Sequence, residues 1–281
     1  MKLCIKAAAA LVSMLWLLCA NQALAQNWTP GNSQIEIEYV APSSQSYRPL
    51  YDRLKKRQVL EELRLSLSPL RLPQNLKVQV NQCGARTRAY KPDERLVTVC
   101  YELIDQVVQT AAKLDSGAQA NVVVGTFIEV VLHEISNGIF DILQVPVWGR
   151  REDAADRLAA FIMLQFDEDL ALRTVTGTAQ FFLASNKTWT GSDFADVNSP
   201  DPQRFYNYLC IAYGGAPISF RFLARPPDNT EPVLPARRAV RCTDEYQQVR
   251  KAFDLRIMPF VDPDALVAIR SVQWLTPTDV K

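Results

Sequence analysis

Histidine is almost absent from this chain: there is one, His133. A site that needs two imidazoles is therefore excluded, and any chemistry that needs one must use this residue. Long apolar runs are missing once the first 25 residues are set aside, so nothing approaches the roughly 20 residues of a membrane span. There is no basic stripe and no basic–aromatic module, which removes the nucleic-acid-binding classes. C-x-x-C spacing does not occur either, and its absence argues against a cysteine zinc cluster. Internal repeats and long linkers are also lacking, so the chain reads as one compact unit rather than two domains.

What stands at the front is a positive start at Met1-Lys2 and Lys6, a short apolar run from Ala7 to Leu18, and Ala23-Leu24-Ala25. That order, ending in an A-x-A site, is the pattern of a secretory signal peptide. Residues 1–25 are expected to be removed, leaving Gln26 first and residues 26–281 as a single domain. The apolar run is short for a membrane anchor, and bulky Leu18 before Cys19 speaks against lipoprotein cleavage. Removal takes two lysines and no acid, so the net charge moves from +1 to −1. Cys4 and Cys19 leave with it, and Cys83, Cys100, Cys210 and Cys242 remain. An even count in an exported chain favours two disulfides. Of the three pairings possible, Cys83–Cys100 with Cys210–Cys242 is favoured because each closes a local loop. The expected destination is the periplasm or the exterior.

Apolar–polar alternation predicts strands at Ile35–Val40, Leu76–Val80 and Leu96–Cys100. Helical spacing of Leu50, Leu54, Leu60, Leu63 and Leu67 predicts one helix over Tyr47–Leu67. Tyr90-Lys91-Pro92-Asp93 reads as a turn. A helix is expected over Tyr101–Leu114, broken by Asp115-Ser116-Gly117, and a central one from about Asn121 or Val122 to Leu143. Another starts near Arg150. Beyond Thr174 the pattern gives a helix around Gln180–Leu183, a loop over Ser192–Gln203, an aromatic cluster (Phe205, Tyr206, Tyr208, Tyr213) and a helix over Cys242–Phe253. About six helices and three strands make the fold class α+β, mostly helical, with a small N-terminal β-sheet.

The chemistry concentrates between Thr126 and Gln165. Residues four apart on a helix share a face, so His133 and Asn137 point toward one spot. This is the geometry of the H-E-x-x-H zinc helix, in which two imidazoles bind the metal and the Glu between them activates water. Here the second imidazole is Asn137. A third ligand commonly comes from a second helix as the Glu of E-x-x-x-D, whose Asp orients a ligand imidazole. Glu152 and Asp156 have that spacing, and the loop between the two helices is long enough for an antiparallel return. Leu143, Val145 and Val147 are expected to pack at the turn.

These pieces resemble a family of exported bacterial metallopeptidases with a gluzincin-like core. The resemblance rests on Cys83-Gly84 to Cys100-Tyr101-Glu102-Leu103, on Leu132-His133-Glu134 and on Gly149–Asp156. It also takes in Tyr206-Asn207 to Cys210 and Tyr213-Gly214. It spreads over most of the mature chain, and Gly149–Asp156 is its most specific block. It implies His133 and Glu152 as zinc ligands, Glu134 as general base and Asp156 as partner of an imidazole. The chain departs from the family at one place: where members look like H-E-x-G-H, it has Ser136-Asn137. Carboxamide oxygen is a weak, neutral donor beside imidazole, so Asn137 would complete the metal site only loosely, and Ser136 would crowd a place where glycine lets neighbours approach.

Each residue also has a purely structural reading. His133 can be a satisfied core histidine, Glu134 can pair with Arg150 or Arg151, and Glu152 and Asp153 can complement a helix N-terminus. Tyr206, Tyr208 and Tyr213 can be packing residues, or one of them a transition-state donor. Ser-His-Asp and Cys-His arrangements gain no support, because the metal-type pattern already uses the lone histidine. The expected function is an exported zinc metallopeptidase-like protein, with zinc held weakly or not at all and activity impaired. The alternative is an inactive pseudo-peptidase that binds peptide or protein. In both, the partner is a peptide or protein, with no nucleic acid and no membrane span after signal cleavage.

Overall fold

The structure, a computed structural model, describes residues 34–85, 87–184, 190–228 and 230–265. The expected signal peptide and its cleavage site after Ala25 lie outside these residues. Alternation builds the sheet as anticipated in β1 (Ile35–Tyr39), β2 (Leu76–Asn81) and β4 (Leu96–Cys100). Leu76, Val78, Val80, Val97 and Val99 all turn inward and are fully buried. With β3 (Arg88–Lys91), the strand order is β1-β2-β4-β3; β1, β2 and β4 are parallel and β3 is antiparallel to β4.

Strand β3 (Arg88–Lys91) corrects the sequence reading, which places a turn at Tyr90–Asp93. Tyr90 and Lys91 are still in the ladder, opposite Val97 and Leu96. The chain reverses only at Pro92, through a 3-10 turn over Pro92–Glu94 that closes with Arg95 at φ 46°. The helix expected over Tyr47–Leu67 is likewise two, α1 (Arg48–Lys56) and α2 (Val59–Ser66), parted where Gln58 takes φ 52°.

Helix α3 (Tyr101–Ala111) follows β4 directly, and α4 (Ser116–Ile142) runs through the middle of the fold. The two helices are separated as expected, but Asp115 occupies the N-cap position of α4, so the second helix begins at Ser116 rather than near Asn121 or Val122. By length and composition α4 could cross a membrane, a run the sequence reading does not find after Ala25, yet 94% of its apolar window is buried within this fold. Around it pack β4, β3, β2, α3, α5 (Arg151–Met163) and α6 (Glu168–Ala184). Contact between α4 and α6 is backbone to backbone. A Cβ at Gly125 would run into the Thr174 carbonyl, and one at Gly177 into the Asn121 carbonyl, so both crossing points require glycine.

Helices α7 (Asp201–Gly215) and α8 (Ala236–Arg256) complete the helical layer; α7 takes in the end of the expected Ser192–Gln203 loop and the aromatic cluster, and α8 is longer than the expected Cys242–Phe253 helix. Cys83–Cys100 ties the end of β2 to the end of β4, and Cys210–Cys242 ties α7 to α8. The fold is α+β and mostly helical, with a four-stranded sheet and two disulfides.

Candidate functional site

Glu129, His133 and Asn137 recur every four residues on α4, with Glu134 and Asp141 beside them, and so form a polar stripe. The first four are buried in an otherwise apolar helix. Helix α5 returns antiparallel to α4. Its Arg151 lies at Asn137, while Glu152 and Asp156 lie at His133. Gly149, at φ 96°, makes the reversal, and Leu143, Val145 and Val147 pack against the core in the connection.

His133 is held at both ring nitrogens. Its Nδ1 lies 2.6 Å from Asp156 Oδ1, and its Nε2 lies 2.7 Å from Glu152 Oε2. An imidazole can donate to two carboxylates only when protonated. Burial, followed by the Arg88 charge, pulls the His133 pKa down, but the bonds to Asp156 and Glu152 and the Asp156 charge outweigh them. The net result is a value above the ordinary 6.5. Glu152 is shifted the other way, below its usual range, first by its hydrogen bond to His133 and against its own burial.

Behind the imidazole sits a buried guanidinium. Arg204 of α7 donates from Nε to Asp156 Oδ2 at 2.8 Å, and from Nη2 to Asp156 Oδ1 and Glu129 Oε1, both at 2.8 Å. It lies 4.2 Å from the centroid of the Phe182 ring. Tyr208 adds its hydroxyl to Glu129 Oε1 at 3.3 Å. Burial opposes ionisation of Asp156, but the Arg204 charge and hydrogen bonds, with those of His133, hold its pKa well below the carboxylate range.

Strand β3 supplies the opposite wall. Period-two alternation turns Arg88 and Tyr90 toward α4. Arg88 Nε donates to Glu134 Oε1 at 3.0 Å, and its Nη2 lies 3.7 Å from Glu129 Oε1. Tyr90 donates its hydroxyl to Asp141 at 2.8 Å. The ion pair of Glu134 is therefore with Arg88, not with Arg150 or Arg151. Arg150 donates instead to the carbonyls of Phe194 and Asn198, and Arg151 goes one turn further along α4. There its Nε donates to Asn137 Oδ1 at 3.0 Å and its Nη2 to the Asn137 carbonyl at 2.7 Å. Ser136 turns its hydroxyl back onto the Leu132 carbonyl at 2.7 Å and so stays within its own helix.

These groups face a cleft of about 830 Å³ between β3 and the segment Asp196–Asp201. Arg88, Glu134, Asn137, Arg151 and Glu152 line it, whereas Tyr206, Tyr208 and Tyr213 do not. The histidine held between two carboxylates therefore lies behind Glu152, which lines this cleft. Over residues 39–255 the chain matches the family DUF4344, described as "Putative metallopeptidase". The chain belongs to this family. No curated protein and no solved structure matches it.

Membership in DUF4344 implies a metal, and the donor atoms can be tested against one. His133, Glu134 and Glu152 each bring a donor atom, all within 4.8 Å of one another. Glu129, His133 and Asp156 form a second trio, but Arg204 closes it. In the first trio the Glu134 carboxylate carries the Arg88 guanidinium, and Asn137 Oδ1 carries that of Arg151. Only His133 Nε2 and Glu152 remain with no guanidinium bonded to them. A catalytic zinc usually takes three protein ligands, and the residues present do not fit that requirement.

Glu129, Arg88 and Arg204 are the site residues that sequence reasoning missed. Glu129 had a legible signal, an acid four residues before His133 in an apolar run. Arg88 and Arg204 come from distant elements and carried none.

Proposed function

We propose that this DUF4344 protein binds an extended peptide in its cleft and does not hold zinc for hydrolysis. One observation carries the reading: the side-chain oxygen of Asn137, where a second imidazole would stand, is bonded to the Arg151 guanidinium. Glu134, the expected general base, is bonded to Arg88 in the same way. Peptide binding is supported by the strand that frames the cleft. β3 is an edge strand, and Thr87, Arg88, Ala89 and Tyr90 line the opening. An edge strand offers backbone groups to a peptide lying alongside it. Export fits this reading, because two disulfides belong to an oxidising compartment. In it residues 26–281 form one periplasmic or secreted domain of gluzincin ancestry.

A second reading, an impaired zinc peptidase with Glu134 as base, draws on one contact. Asp156 takes Nδ1 of His133 and leaves Nε2 toward Glu152, as a ligand pair requires. Metal content and peptide turnover of the purified mature protein separate the two. The expected result is far less than one zinc per chain and saturable peptide binding with no cleavage, even after incubation with zinc. Stoichiometric zinc, with cleavage lost in Glu134→Gln, would establish the peptidase and overturn the proposal.

A further inference from the structure

Arg151 does more than meet Asn137. Its Nε contacts the side-chain oxygen, but its Nη2 contacts the main-chain carbonyl of the same residue. The second bond does not depend on which side chain stands at 137. Arg151 is also the first residue of α5, next to Glu152, and its guanidinium lies 5.7 Å from the centroid of the Phe140 ring. Three restraints thus hold a permanently charged group at the level of α4 where a second zinc ligand would project. Its acceptors there are both neutral, so contact with Asn137 leaves its charge uncancelled at that point.

We propose that Arg151 is a metal-excluding residue: it keeps the ligand position at 137 engaged and sets a fixed positive charge beside the space a divalent cation would enter. The proposal rests on the reading that this centre does not hold zinc, and extends it. Loss of the second histidine is then not the whole barrier to metal. Restoring the imidazole alone leaves the guanidinium in place through the 137 carbonyl, whereas neutralising Arg151 as well releases the position.

The test is zinc affinity, read by competition with a chromophoric chelator on the full mature chain at one pH. Wild type, Asn137→His, and Asn137→His with Arg151→Gln are compared. The double variant is expected to bind zinc about 10- to 100-fold more tightly than Asn137→His, the range by which groups that orient metal ligands act on affinity. Asn137→Asp, nearly isosteric with the native residue, is measured with and without Arg151→Gln so that the comparison survives if histidine does not fit. The same direction is expected in that pair. Equal affinities with and without Arg151, in a protein whose wild type is zinc-free, overturn the role of Arg151 and leave the proposed function standing. Tight stoichiometric zinc in the wild type overturns both.

Discussion

At the scale of single residues, Arg204 decides whether the buried charge cluster can exist. Asp156 and Glu129 are almost wholly buried, and the Arg204 guanidinium bonds to both. Removing one partner of a buried ion pair leaves an uncompensated charge and costs about 3 to 5 kcal/mol. Arg204→Met is expected to lose that much stability in urea unfolding, and Glu129→Gln added to it should recover part of the loss. A cost below about 1 kcal/mol would show that the cluster is solvated, since exposed pairs contribute no more than that. His133, Glu152 and Asp156 were legible beforehand because helical spacing alone puts them on facing surfaces. Arg88 and Arg204 were not, because nothing local distinguishes an arginine that will reach across the fold from one that will face water.

At the scale of elements, legibility followed the strength of the period. The inward valines of β2 and β4 announced their strands, whereas Arg-Ala-Tyr-Lys has one small and two charged residues and yielded to the Pro-Asp turn signal beside it. The break between α1 and α2 falls where the leucine spacing widens to six, from Leu54 to Leu60, which does not keep one helical face, and a tertiary contact sets the new register. Tyr39 of β1 makes that contact. Its hydroxyl accepts the Leu60 N–H at 2.7 Å and donates to Glu61 at 2.7 Å, pinning the first turn of α2 to the sheet. Tyr39→Phe leaves that N–H without its acceptor and is expected to cost about 1 to 3 kcal/mol, measured by urea unfolding near neutral pH. Burial raises the Tyr39 pKa above the ordinary 10.0, aided by Glu61 and opposed by the Leu60 bond. A raised folded value means that the contribution is complete below pH 10.0 and is lost as pH rises above it. The difference between wild type and Tyr39→Phe should therefore shrink in alkaline buffer, and a difference that grows with pH would contradict the assignment.

At the scale of the molecule, the two disulfides hold the walls of the cleft. The loop closed by Cys83–Cys100 contains β3 and so carries Arg88 and Tyr90. Cys210–Cys242 fixes α7, the helix that presents Arg204, against α8. Cross-links with sequence separations of 17 and 32 residues restrict the unfolded chain by about 3 and about 4 kcal/mol, respectively. These two losses should differ in kind as well as size. Replacing Cys83 and Cys100 by serine should lower stability by the smaller amount and loosen β3, so that amides of Arg88–Lys91 exchange faster with solvent while those of α4 keep their protection. Replacing Cys210 and Cys242 should lower global stability by the larger amount with β3 unchanged in native-state exchange. The contrast follows from which element each bridge fastens. If both variants gave the same exchange pattern, the bridges would act only on the unfolded chain and would not position the cleft.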